Sequence, residues 1–387
     1  MIMKCKKSLF LLLFFGGVLF GDVNYRVTNT NITVSQGSNI HLQEKRQEYN
    51  YNRFRLYLDY LHEGYFESVI GDVVNYFGDA YTDSNSFTYL KNSRSDTFFS
   101  TQTNFKDYGN GAMYAKFYRA YVGYEDAKNR AVAGLQNISM GVGRIWTPTN
   151  IFNPKNSYAI EPDEIYGVSA LSYVRHLSDT SHVTLVASQN SEKKFKYRGG
   201  YKGYLGFADV GVNIVYSDKT KMFAYEIEGN LADTGVELRS EAGYIKSTLF
   251  NVLNQEYELE FFQGIVGAEY GFVNGITLVF ETIYSSKDFT YEETLLNLNS
   301  DILSNLLNSN FYGGVSIAYT FNLFLDASLL YIESFADKNS RFISPSLNYT
   351  LNDYNSFTLG AQIYNGKSES EFGAYKNSYF FKWSLSF

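Results

Sequence analysis

The 387-residue sequence predicts an all-β fold, a transmembrane antiparallel up-and-down β-barrel behind an N-terminal signal peptide. Three observations carry this. Apolar and polar residues alternate with a period of two in segment after segment. The chain holds 35 Tyr and 32 Phe but only 4 Pro, yet its mean hydropathy is slightly negative, −0.24. After residue 21 no apolar run approaches the length of a spanning helix, about 20 residues. Strands with one apolar face can still cross a bilayer, provided the sheet closes on itself.

The chain opens Met1-Ile-Met-Lys-Cys-Lys-Lys7, continues through an apolar and small-residue run from Ser8 to Gly21, and turns polar at Asp22. These are the parts of a secretory signal peptide. Residues 1–21 are therefore expected to be removed and 22–387 to form the barrel. Leu19 is a poor residue three places before that cut. Cys5 precedes the apolar run, so it is not the acylated cysteine of a lipoprotein signal. Removing Lys4, Lys6 and Lys7 leaves 30 basic against 40 acidic residues, a net charge of about −10. Such a chain lacks the basic face that nucleic acid requires. Its only cysteine leaves with the signal, so disulfides and thiolate metal sites are excluded.

Strand alternation is clearest at the end. Tyr379, Phe381, Trp383, Leu385 and Phe387 share one face; Phe380, Lys382, Ser384 and Ser386 share the other. Seventeen strand candidates follow Tyr51, near 51–60, 66–77, 112–125, 129–140, 167–176, 182–190, 195–205, 209–217, 222–231, 235–245, 257–270, 275–285, 311–321, 324–334, 341–351, 356–364 and 377–387. Long connections at 78–111, 141–166, 246–256, 286–310 and 365–376 alternate in phase with tight turns. Barrels of bacterial outer membranes have short periplasmic turns and long outer loops. That phase puts the C-terminus in the periplasm and requires an even count. One more strand is thus expected within Asn24–Arg46, giving 18 strands, with 16 as the alternative. Pro345 is a weak point, because proline removes a ladder donor.

One stretch departs from alternation: Gly141-Val-Gly-Arg-Ile-Trp-Thr-Pro-Thr-Asn-Ile-Phe-Asn-Pro154, followed by Glu161-Pro-Asp-Glu164. Turn residues beside large aromatics predict a structured outer loop over 141–166. This stretch resembles a run found in a large group of Gram-negative outer-membrane barrel proteins, G-x-G-R-x-W-x-P-T-[DN]-x-F-N-P, with E-x-D-E as its sequel. Gly141, Gly143, Arg144, Trp146, Pro148, Thr149, Phe152, Asn153 and Pro154 match, as do Glu161, Asp163 and Glu164. Asn150, Met140 and Leu135 depart from it. The resemblance covers roughly 49–217 and is specific around 134–170. It implies porin-like transport and names no solute. The terminal Phe387 resembles the end signal read by the barrel-assembly machinery.

A rigid loop folded into the lumen would narrow a wide barrel. Pro148 and Pro154 would stiffen it, Trp146 and Phe152 would pin it to the wall, and Arg144 is expected to face Glu161, Asp163 or Glu164. The lumen charges are expected to segregate. Arg53, Arg55, Lys194, Lys196 and Arg198 would form a basic wall. Glu226, Glu228, Glu237, Glu241, Glu258, Glu260 and Glu281, relieved by Arg239, would form an acidic one, and the field between them would orient charged or dipolar solutes.

Enzymatic signals are weak. His41, His62, His176 and His182 are the only histidines, and there is no G-x-S-x-G elbow. No ligand spacing fits a zinc or calcium site. Leu295, Leu296, Leu298, Ile302, Leu303, Leu306 and Leu307 have near-helical spacing and predict a short helix in an outer loop. The sequence thus points to a non-enzymatic outer-membrane channel for small hydrophilic solutes, without cofactor or metal. Its surroundings would be outer-membrane lipid and lipopolysaccharide. The alternative is a barrel with a surface role, in adhesion or lipid modification.

Overall fold

A computed structural model describes residues 22–40, 42–92, 97–335 and 339–387. The expected signal peptide, with Cys5, and His41 lie outside the described residues. The first strands are β1 (Asp22–Gln36), β2 (Gln47–His62), β3 (Tyr65–Phe77), the three-residue β4 (Lys106–Tyr108), β5 (Gly111–Glu125) and β6 (Asn129–Gln136). Then follow β7 (Val168–Ser178), β8 (Ser181–Gln189), β9 (Phe195–Tyr204), β10 (Asp209–Tyr216), β11 (Thr220–Asn230), β12 (Val236–Phe250) and β13 (Glu256–Gly271). The chain closes with β14 (Ile276–Ser285), β15 (Phe311–Asn322), β16 (Leu325–Ser334), β17 (Ser340–Asn352), β18 (Asn355–Asn365) and β19 (Ser378–Ser386).

Each strand pairs antiparallel with the next, and β1 pairs with both β2 and β19, so the sheet is closed. The short β4 lies against the upper edge of β5, leaving 18 strands in the barrel. The expected extra strand is β1, which has 15 residues and starts at Asp22, two residues before the expected range of Asn24–Arg46. Closure leaves the barrel without a free strand edge, which a spanning sheet requires.

The period of two puts large apolar side chains outside. Leu171, Ile214, Val266 and Leu359 are each about 60% exposed, a face suited to lipid rather than water. Aromatics crowd the turns of the lower rim: Tyr65, Phe207, Phe272, Phe324, Tyr354 and Phe387. Pro345 sits where the β17–β18 ladder skips residues 344 and 345, while pairing with β16 runs on through Leu329. The missing donor therefore falls in a local gap.

Two boundaries differ from expectation. The long loop expected at 246–256 is mostly strand, because β12 reaches Phe250 and β13 starts at Glu256. The strand expected over 129–140 stops at Gln136. Beyond it the Ile138 N–H donates to the Asn153 side chain, and the chain turns inward instead of pairing.

Candidate pore loop and lumen walls

Residues 137–167 connect β6 to β7 and run inside the barrel, against inward-facing side chains on both sides. At Gly141–Trp146 the contact is made by backbone. Gly141 N–H donates to Glu226 at 3.0 Å. Val142, Gly143 (3.1 Å) and Thr149 (3.2 Å) donate their N–H groups to Glu241, and the Thr149 hydroxyl adds a bond at 3.1 Å. Arg144 (2.9 Å), Ile145 (3.1 Å) and Trp146 (2.7 Å) donate theirs to Glu281. These wall carboxylates on β11, β12 and β14 act as acceptors for a chain that has left the sheet ladder. Gly141 has φ +81°, and a Cβ there would run into the Glu241 carboxylate.

Apolar contacts complete this side. Ile145 and Trp146 pack with Ile265, Ile283, Tyr312, Ile332, Phe342 and Phe372. Gly314 makes room, since a Cβ there would lie 2.7 Å from Ile145 and 2.9 Å from Trp146. Phe152 packs with Ile138, Met140 and Ile151 of the loop and with Val215 and Phe261 of the wall. Asn150 and Asn153 close the turn through reciprocal bonds of 2.7 and 3.0 Å. The Pro148 carbonyl accepts from Asn305, which also bonds Gln263.

Arg144 does not meet Glu161, Asp163 or Glu164. It pairs instead with Glu228 (3.2 Å), Glu237 (3.1 Å) and Glu269 (3.1 Å), beside the buried Arg239. The motif's acids go to the other side of the lumen. Glu161 pairs with Arg53 at 3.0 Å, and Glu164 pairs with Arg53 at 3.1 Å and Arg55 at 2.8 Å. Asp163 is 92% exposed and only approaches Lys155, at 3.9 Å. The residues are near in sequence, yet the loop between them spans the lumen, so each charge meets the wall of opposite sign.

The basic wall also contains charged residues that were not among those expected. Arg55 is bound to the buried Asp72 at 2.6 Å and stacks over Tyr118 at 3.7 Å. Lys116 lies 3.8 Å from Asp72. Arg119 donates to the Ile165 carbonyl at 2.9 Å. Asp72 and Lys116 have the inward parity of their strands and were legible that way. Arg119 faces inward because a bulge at Ile70/Gly71 shifts the register, which parity cannot reveal. On β9, Lys196 donates to the Ile151 carbonyl (3.0 Å) and pairs with Asp301 (2.7 Å), while Arg198 donates to the Ser139 carbonyl (2.8 Å).

Three expected lumen charges lie elsewhere. Glu258 and Glu260 face outward on β13, 61% and 47% exposed, both paired with Lys246. Their strand's inward residues are Phe261, Gln263, Ile265 and Glu269, the opposite parity. This outward charge sits where the β12–β13 hairpin extends past the apolar belt, free of the penalty of about 2–4 kcal/mol for Lys or Arg at the midplane. Lys194 stands on the outer rim in the β8–β9 turn, bound to Glu192 and Asp218. Glu226, Glu228, Glu237, Arg239, Glu241 and Glu281 face inward.

Above the loop, the connection 286–310 supplies a helix, Tyr291–Leu296, shorter than the leucine spacing suggested and started by a Thr290/Glu293 capping box. Ile302 and Leu306 then bury themselves on Ile151 and Phe152. The connection 366–377 folds in as well, setting Phe372 against Tyr158 with tilted rings whose centroids are 5.8 Å apart. There Glu371 accepts from the Tyr312 hydroxyl at 2.6 Å, and burial pushes its carboxyl up to about 7. Burial also acts to raise Glu164, but Arg55 and Arg53 outweigh it and hold that carboxyl below the usual range. His176 and His182 face each other across the β7–β8 turn, ring centroids 5.9 Å apart.

The result is a closed 18-stranded antiparallel barrel with a loop strapped across its lumen. No family model and no curated protein matches the sequence. Solved structures do match the fold. OccAB1 of Acinetobacter baumannii aligns over 95% of this chain and 96% of its own, with TM-score 0.59 and 9% identity. OccAB4 of the same organism gives TM-score 0.59 and 12% identity over 95% and 98%. OpdK of Pseudomonas aeruginosa, solved with vanillate, gives 0.56 and 9% over 95% and 98%.

Proposed function

We propose that this protein is an outer-membrane channel for small hydrophilic solutes, with residues 137–167 as its constriction. The carrying observation is the two-sided strap. Arg144 and the amides of Gly141–Trp146 engage the acidic wall, while Glu161 and Glu164 engage Arg53 and Arg55. A loop fixed at both sides narrows a passage without closing and opening like a lid. Fold likeness to OccAB1, OccAB4 and OpdK supports the channel reading, and the exposed apolar belt supports a place in lipid. The matched G-x-G-R-x-W-x-P-T motif and its acidic sequel supply the strap, which gives the motif a physical purpose. Phe387 at the lower rim serves as the handle for barrel assembly.

Solute in transit passes between guanidinium and ammonium groups on β2, β5 and β9 and carboxylates on β11–β13. Partial neutralisation by the loop leaves a transverse field that aligns dipolar or charged solutes. The OpdK structure holds an aromatic carboxylate, vanillate. A wall with Arg55 over Tyr118 and Lys116 near Tyr166 suits the same chemistry. Planar-bilayer recording of the purified protein tests the reading: discrete conductance steps are expected, partly blocked by millimolar vanillate. A folded barrel that conducts no ions would overturn it.

A further inference from the structure

A polar island interrupts the lipid-facing wall. Asn29 and Asn52 exchange reciprocal side-chain bonds of 3.1 Å each. Asn31 and Asn50 do the same at 3.1 and 2.8 Å, and Asn50 also reaches the Thr33 hydroxyl at 3.1 Å. On β3, Asn75 lies opposite Asn52 and accepts from the Tyr108 hydroxyl. All of these face outward. They alternate with the buried inward residues Thr30, Ile32, Val34 and Arg53, and share parity with the exposed Phe54, Leu56, Val73 and Phe77.

The ladder places the island within the apolar belt. Asn29, Asn31 and Thr33 stand directly opposite Leu385, Trp383 and Phe381, the outward row of β19. Tyr379 opposite Ser35 lies above, and Phe54 opposite Asn29 lies below. Primary amides facing hydrocarbon are costly unless they are hydrogen-bonded. The pairs within the sheet use one amide hydrogen each of Asn29, Asn31 and Asn52. Each keeps a second hydrogen and a further oxygen lone pair that these pairs within the sheet do not use.

An amide is donor and acceptor at once, so a row of amides is complementary to its own copy turned by a two-fold axis. Lipopolysaccharide phosphate would call for cations. The island has none: the next outward residue of β2 above Asn50 is the exposed acid Glu48, and the cation beyond it, Arg46, is engaged by the Ser35 hydroxyl, the Asn377 carbonyl and the Tyr379 ring. We propose that the outward face of β1–β3 is a self-association interface, joining two copies of this chain about a two-fold axis normal to the membrane.

Sedimentation of the wild-type protein in density-matched mild detergent is expected to give a dimer. Asn31→Cys is expected to yield a disulfide-linked dimer under mild oxidation. Val266→Cys, 64% exposed on the far wall, is expected to yield none. Replacing Asn29, Asn31, Asn50 and Asn52 together by Leu should give a monomer with unchanged single-channel conductance and a heat-modifiable gel band. If that variant fails to fold, the two cysteine variants decide alone. A monomeric wild type, a trimer, a dimer that survives the quadruple change, or no cross-link at Asn31→Cys would overturn the proposal. So would a monomer carrying lipopolysaccharide that the quadruple variant loses.

Discussion

The two sides of the loop are held by opposite means. On the acidic wall, loop backbone N–H groups donate to side chains of the barrel, chiefly Glu241 and Glu281. On the basic wall, loop side chains Glu161 and Glu164 accept from Arg53 and Arg55. The first arrangement adds the loop's backbone path to side-chain contacts of Arg144, Ile145 and Trp146, whereas the second rests on side chains alone. Wall substitutions at Glu241 or Glu281 should therefore unseat loop backbone, while on the basic side a substitution at either partner removes an ion pair.

The largest break is removal of the strap. Deleting Ile145–Asn153 should raise single-channel conductance severalfold in a folded barrel, because aqueous cross-section replaces packed chain. Unchanged conductance would rule out a constriction there.

Next come the anchors. Arg55→Ala leaves the buried Asp72 with only the more distant Lys116, and breaking such a buried pair typically costs about 3–5 kcal/mol. Glu241→Ala orphans three backbone N–H groups, at about 1–3 kcal/mol per buried group. Both should lower the unfolding midpoint in detergent and add gating noise, while Asp163→Ala, on an exposed side chain, should do neither.

Selectivity sharpens the comparison further. Glu228→Gln with Glu237→Gln should reduce cation over anion permeability roughly twofold, measured as a reversal potential in a salt gradient. Glu258→Gln with Glu260→Gln should leave it unchanged, since those side chains face outward.

The smallest effect is that of pH. Glu371 is pushed up to about 7 by burial, so its protonated form favours the docked 366–377 connection. That contribution is full below the ordinary carboxylate range and fades as pH rises through about 7. Glu164, held below its usual range, behaves the other way: its strap persists at neutral pH and is lost only in acid. Relative to chymotrypsin cleavage of an unstructured control peptide at each pH, cleavage near Phe372 should be faster at about pH 8.5 than at about pH 5.5, and Glu371→Gln should remove that excess.

Much of the barrel was legible because period two is a local property. Strand parity follows from side chains two residues apart, and the phase of long and short connections gave the missing first strand. Parity applied strictly along β13 would also have set Glu269 against Glu258 and Glu260. Arg119 was beyond its reach, because one bulged residue inverts the pattern. Strand ends were missed at 129–140 and 246–256, where nothing in the local pattern marks where pairing stops.

The sequence by itself determined a closed sheet with a lipid-facing and a lumen-facing side, since alternation and backbone satisfaction in a bilayer leave few other solutions. Only the tertiary structure decided which charges meet. Arg144 and Glu164 are 20 positions apart yet bind opposite walls. Ion-pair choice depends on where a loop crosses three-dimensional space, and Coulomb energy depends on that distance rather than on separation along the chain.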